Sequence, residues 1–241
     1  INALLPVAQM GGDLVKGRLI MTNGVPGPVA GASVVVELTI AAVTQLVFTI
    51  MGITLLLETG HRQIIIAAVI GLMVMSVLIM GFCLAQRYGI FGGMVKVMVR
   101  FGGSRDWSSL VGGSEALDQA IWYLYRRRIQ LLQSSLWRLA GWVLGAGEVW
   151  LALHFLGAKV GFANALMLES LGQAVRGAAF LVPGALGIQE GGFLVLGASL
   201  GLSPDVSLAL SLTKRVRELL LGLPGLVAWQ IAEGKNLFRR R

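Results

Sequence analysis

Residues 34–57 read VVVELTIAAVTQLVFTIMGITLLL, and residues 63–85 read QIIIAAVIGLMVMSVLIMGFCLA. Glu37 is the only charged side chain in either run. About 20 such residues cross the hydrocarbon layer as a helix, so each run is long enough to span it. A barrel strand would alternate apolar and polar residues, and these runs do not. A lone helix satisfies its own backbone hydrogen bonds in lipid, which makes the fold class all-α, a polytopic integral membrane helix bundle.

The rest of the chain agrees. Hydrophobic residues make up 56% and charged residues 13% of the 241 residues, and the mean hydropathy of +0.77 lies outside the range of soluble domains. Cys83 is the only cysteine, so no intrachain disulfide or cysteine metal site can form. His61 and His154 sit near the ends of apolar runs, as interfacial rings do. No Walker A, HExxH or G-x-S-x-G pattern occurs. The sequence therefore predicts a protein that is not an enzyme, with no catalytic residue, metal or cofactor. The net charge of +8 reads as topology signal and lipid headgroup contact, with no nucleic-acid partner.

Segments 33–57, 63–85, 136–156, 162–182 and 206–231 are candidates to cross the bilayer, with shorter pieces at 11–22 and 191–200. Positive charge concentrates between Arg87 and Arg138 and in the terminal KNLFRRR. The positive-inside rule puts that loop and the C-terminus in the cytoplasm, and residues 58–62 and 157–160 on the far side. The parity closes if 191–200 pairs with the break before it. EALDQAIWYLYRRRIQLLQSSLW, residues 115–137, has apolar residues at helical spacing beside three arginines, as expected of a helix on the cytoplasmic surface. The chain begins at Ile1, already inside a motif, which suggests a fragment lacking N-terminal helices. We read 1–241 as one membrane domain, with 87–137 as its cytoplasmic amphipathic segment.

A second stretch breaks the apolar pattern. LVPGALGIQEGGF, residues 181–193, places Pro183, Gly184, Gly187 and Glu190 inside a hydrophobic run. Proline and glycine interrupt a helix, and irregular backbone at membrane depth must be buried in protein or face a polar cavity. Setting Pro6 on Pro183 brings Asp13 onto Glu190, Gly24 onto Gly201 and Glu37 onto Lys214 without a gap. Residues 4–57 and 180–231 thus read as two repeats. By the charge argument their long helices run in opposite senses, and inverted repeats with broken or re-entrant helices typify secondary transporters.

Ionisable groups in membrane helices are costly unless paired or hydrated. Glu169, Gln173 and Arg176 fall on one helical face, and Lys214, Arg217 and Glu218 on another. Glu37, Glu148, Glu169, Glu190 and Glu218 balance Arg176, Lys214, Arg215 and Arg217 in sign. Either a shared polar cavity or a set of static salt bridges accounts for them. Likewise Glu190 is either functional or a carboxylate neutralised at a helix N-terminus.

NALLPVAQMGGDLVKGRLI, the acid Glu37 after a Gly/Pro turn, and LVPGALGIQEGGF followed by KRVRELLLGLPGL resemble the lysylphosphatidylglycerol synthase transmembrane, or flippase-like, family. The likeness is greatest to its hopanoid-biosynthesis-associated, HpnL-type branch. The resemblance implies a bacterial inner-membrane protein that transports or handles lipids, without aminoacyl transfer, since no soluble transferase domain fits in this chain. Carried onto this sequence, it covers Asp13, Glu37, Pro183, Gly184, Gly187, Glu190, Lys214, Arg215 and Arg217. All of these except Arg215, with Glu169 and Arg176 from the charge pattern, are the expected substrate-binding residues, and the basic group would receive a polar or anionic headgroup. The expected partners are membrane lipids, a hopanoid or an anionic phospholipid, and possible lipid-biosynthesis proteins. The alternative is an accessory or scaffold protein of a lipid pathway that transports nothing. An enzyme using Glu190 or Glu169 as base lacks a nucleophile or metal beside it.

Overall fold

The computed structural model describes residues 11–22, 24–87, 114–179 and 182–239, and for residues 11, 13–15, 18, 22, 87, 114, 183, 226 and 228–239 the backbone alone. Residues 1–10, with Pro6, and the basic loop 88–113 lie outside the described residues. Among the described residues every regular element is helical: α1 (Gly11–Thr22), α2 (Gly27–Leu57), α3 (Arg62–Arg87), α4 (Ser114–Tyr125), α5 (Arg128–Phe155), α6 (Phe162–Ala178), a 3-10 turn (Pro183–Ala185), α7 (Ile188–Ala198) and α8 (Pro204–Arg239). They group into two compact units, Asp13–Gly145, and Ala146–Arg241 with Ile1–Gly12.

In the first unit α2 is the longest helix. Its 31 residues make about 46 Å at 1.5 Å per residue. α2 and α3 are both long and apolar enough to cross a membrane. On α3, Ile70, Met73, Val77 and Leu78 are 56–71% exposed. In water each such side chain would forfeit roughly 1.5–3 kcal/mol of burial, so hydrocarbon is the solvent that suits this surface. The same helix packs against α2.

α4 docks on α2 through Leu117 and Ile121, which bury against Ala32 and Val36. The surface helix expected over 115–137 divides here. Arg126 and Arg127 form a turn in which the Arg127 N–H donates to the Leu124 carbonyl at 3.0 Å and the Arg128 N–H to Arg126 at 3.0 Å. α5 then runs unbroken from Arg128 to Phe155, taking in the second half of that expected helix together with the expected span 136–156. Breaking at the arginines frees the apolar stripe of α4 to follow α2 without being held to the register of α5.

A buried polar chain ties three helices of this unit. Gln86 at the end of α3 donates from Nε2 to the Thr39 hydroxyl of α2 at 2.7 Å. It accepts the Tyr125 hydroxyl proton at Oε1, at 2.6 Å. Gln86 is buried, so both ends of its amide are satisfied by protein. Gln86→Leu leaves the Tyr125 hydroxyl without its acceptor, while Thr39 keeps its bond to the Val35 carbonyl, and is expected to cost about 1–3 kcal/mol, read as a lowered thermal midpoint in lipid discs. Adding Tyr125→Phe to that variant should recover part of the loss.

Asp118 on α4 has a shielded Oδ1 without a hydrogen-bond partner among the described residues. Burial pushes its pKa above the ordinary carboxylate value. An acid raised in this way favours the folded state fully below its unfolded pKa, and that contribution is lost as pH climbs through the raised folded value. Asp118→Asn is therefore expected to raise the thermal midpoint at neutral pH and to leave it unchanged near about pH 3, in a pH series of melts.

Candidate functional site

In the second unit the chain breaks where proline and glycine predict. α6 ends at Ala178, and α7 begins only at Ile188. Between them Gly184 has φ 63°, Ala185 φ 48° and Gly187 φ 80°. Gly184 and Gly187 adopt this left-handed region freely, whereas Ala185 does so at a cost of about 1–2 kcal/mol and is fully buried. Such a segment persists only where its surroundings hold it.

Glu190 supplies the hold. Its Oε2 accepts the Gly187 N–H at 2.8 Å, which caps the start of α7. Its Oε1 accepts Arg215 Nε from α8 at 2.5 Å. The same guanidinium donates from Nη1 to the Gly184 carbonyl at 3.2 Å. One arginine thus clamps both the break and the helix after it. Glu190 here performs the neutralised N-terminal role, in addition to whatever else it does.

α8 carries three further pairs. Lys214 meets Glu169 of α6, and Gln173 Nε2 donates to the same carboxylate at 2.9 Å. Arg176 of α6 donates to Glu218 through both terminal guanidinium nitrogens, one to each carboxylate oxygen. Arg217 Nε meets Glu148 of α5 at 2.9 Å. Glu169 is 3% and Lys214 9% exposed in the side chain, and the Lys214 ammonium also lies 5.8 Å from the centre of the Phe193 ring. Four acids thus meet four bases one to one, on four helices of one unit.

The expected site residues therefore divide. Glu169, Arg176, Gly184, Gly187, Glu190, Lys214 and Arg217 come together in the second unit, with Arg215, Glu148 and Glu218 as partners. Glu37 lies in the first unit, where Lys16 of α1 meets it at 2.7 Å and Arg138 of α5 at 3.3 Å. Asp13 falls in α1 and Pro183 in the 3-10 turn, and the side chains of both lie outside the described residues. Sequence reading missed Lys16 and Arg138 as Glu37 partners. Arg138 is 101 positions away, and helical spacing gives no signal at that range. It also passed over Arg215 as a site residue, though the neighbouring Lys214 was chosen.

Helices in the second unit approach closely. A Cβ on Gly172 of α6 would lie 3.0 Å from the Phe193 ring of α7, and one on Gly197 of α7 would strike Ser207 of α8. Gly197 begins residues 197–201, GASLG, a small-xxx-small spacing that here marks a close contact between two helices of one unit.

The burial of Glu169 with Lys214 separates structural from functional worth. Lys214→Met alone leaves a buried carboxylate without its cation and is expected to cost about 3–5 kcal/mol in lipid-disc melts. Adding Glu169→Gln, which can still accept from Gln173, should restore stability to near wild type. A double variant as unstable as the single one would overturn this account of the pair.

Comparison with known proteins adds the family. A family model described as the lysylphosphatidylglycerol synthase TM region matches residues 1–225. Searches of curated proteins and of solved structures each returned no significant match. With nearly the whole length matched and two helices fit to span a bilayer, the chain belongs to the lysylphosphatidylglycerol synthase transmembrane-region family, a family of membrane proteins of lipid metabolism.

Proposed function

We propose that this protein is a flippase-like carrier that moves or handles lipids in the bacterial inner membrane, and that it performs no aminoacyl transfer. The observation that carries the reading is the repetition of one element order in one register. With Pro6 set on Pro183, the first residue of α1 falls on the first residue of α7, and the first residue of α2 on the first of α8. Each pair is joined through a glycine at positive φ, Gly24 at 88° and Gly201 at 73°. In each, an ion pair ties the short helix to the long one: Lys16 to Glu37, and Glu190 to Arg215 with the signs exchanged. Duplicated broken-helix units are the framework on which many carriers build a midplane site.

The proposed inversion rests on charge. Lys214 and Glu218 meet Glu169 and Arg176 in the same N-to-C order, which suits α6 and α8 both running toward a cytoplasmic C-terminus. α2 would run outward from the arginine-rich side. The cargo proposed is a hopanoid or another membrane lipid, on the strength of the resemblance carried by residues 4–24 and 181–225. One observation favours the second reading, a scaffold in a lipid pathway: the ion pairs of α8 are closed one to one, as static supports would be.

Ser211 decides between them. It is fully buried and takes a hydrogen bond from Gln189 Nε2 at 3.5 Å. A carrier must open this region to one side of the membrane and then to the other. Ser211→Cys, made together with Cys83→Ala, is expected to react with a membrane-impermeant maleimide from one side, at a rate that changes with added lipid. A cysteine that stays inert under every condition would sink the carrier reading in favour of the scaffold.

A further inference from the structure

A groove of about 480 Å³ opens in the first unit along α2, α4 and α5. Its polar wall is formed by Ser33, Glu37, Arg127, Gln130, Ser134 and Arg138. The rest of the lining is apolar, from Val36, Ile40, Leu124 and Leu131. Among the described lining residues two are cations, Arg127 and Arg138, and one is a carboxylate, Glu37. Glu37 already holds both Lys16 and Arg138. Arg127 stacks its guanidinium 4.8 Å from the centre of the Tyr123 ring and donates to the Tyr123 hydroxyl, and among the described residues no carboxylate meets it.

This contrasts with the second unit, where every cation described on α8 has its own acid. Two guanidinium groups and one carboxylate among the lining residues leave a net positive charge at the groove, beside the neutral side chains of Gln130 and Ser134. An arginine stacked on an aromatic face is held ready, and guanidinium groups match phosphate oxygens in a planar, bidentate way. The apolar wall suits the part of an amphiphile next to its headgroup. Ile129, Leu132 and Leu136, on the outer side of α5, are 56–72% exposed and continue an apolar surface along the same helix.

We propose that this groove binds the phosphate of an anionic amphiphile, with Arg127 and Arg138 as the phosphate-binding residues and Glu37 limiting their combined pull. The inference rests on the lipid-handling reading and gives it a second locus, distinct from the broken helix. Removing Arg127 removes one charge-assisted contact while leaving the Lys16–Glu37–Arg138 cluster intact. Removing the Glu37 charge works in the opposite direction.

The test uses the full chain in phosphatidylcholine discs containing a minor fraction of phosphatidylglycerol, with retained lipid counted by native mass spectrometry. Wild type is expected to enrich phosphatidylglycerol, Arg127→Gln to lose about tenfold in apparent affinity, and Arg127→Lys to recover part of it. Glu37→Gln should enrich the anionic lipid further. Displacement of that lipid by millimolar inorganic phosphate would identify a soluble phosphoester as the source of the same chemistry, and resistance to it would identify the lipid. No enrichment in wild type, or equal enrichment in Arg127→Gln, overturns the proposal. The labelling of Ser211→Cys is an independent readout: its failure removes the carrier reading and leaves the headgroup site standing.

Discussion

The second unit depends on one guanidinium. Arg215 joins the Glu190 carboxylate to the Gly184 carbonyl, so a left-handed, proline-led break and the short helix after it are fixed to α8 by a single side chain. Without that clamp the Gly184 carbonyl would lack this donor, and the Glu190 charge would face an apolar setting with a helix N-terminus alone for company. An ammonium could not serve in the same way, since it lacks the flat fork that reaches a carboxylate and a carbonyl together.

The neighbouring pairs follow from helix geometry once Arg215 is set. Residues advance about 100° each around a helix, so Lys214 and Glu218 share a face while Arg215 and Arg217 point well to either side. The first two meet α6, and the others reach α7 and α5. Four charges close in sequence thus bind three helices. Pairing one to one is what makes them tolerable, because an ion stranded in such surroundings costs several kcal/mol.

Much of this was legible in the sequence. The apolar runs at 34–57 and 63–85 announced α2 and α3, because membrane helices need length and little else. Pro183, Gly184 and Gly187 announced the break, because their backbone preferences act locally. The charged residues of α6 and α8 were recognised, and their pairing was left between cavity and static bridges; the sequence could not say which acid meets which base. Partner choice is a tertiary property: Arg138 and Glu37 meet only because α5 returns along α2. The division at Arg126–Arg127 escaped notice for a related reason. The apolar spacing of 115–137 fits one helix, and only the docking of Leu117 and Ile121 on α2 shows the advantage of a turn.

Glu37 on α2 and Lys214 on α8 each stand ten positions after the first residue of their helix but carry opposite charges. Each meets a charge on another helix: Arg138 of α5 in one case, Glu169 of α6 in the other. The consequences differ in kind. Lys214 is buried, and its acid and that acid's amide donor are all supplied within the unit, so the cluster is electrically complete. Glu37 is 40% exposed in its side chain, and two cations share it while a third stands nearby in the groove. A completed cluster can support a fold but has little left to offer a ligand. A cluster at an accessible surface, beside a guanidinium that meets no carboxylate among the described residues, keeps its field available to an anion. On the proposed reading, the charge at this position is a fixed support on α8 and part of a place to receive an anion on α2.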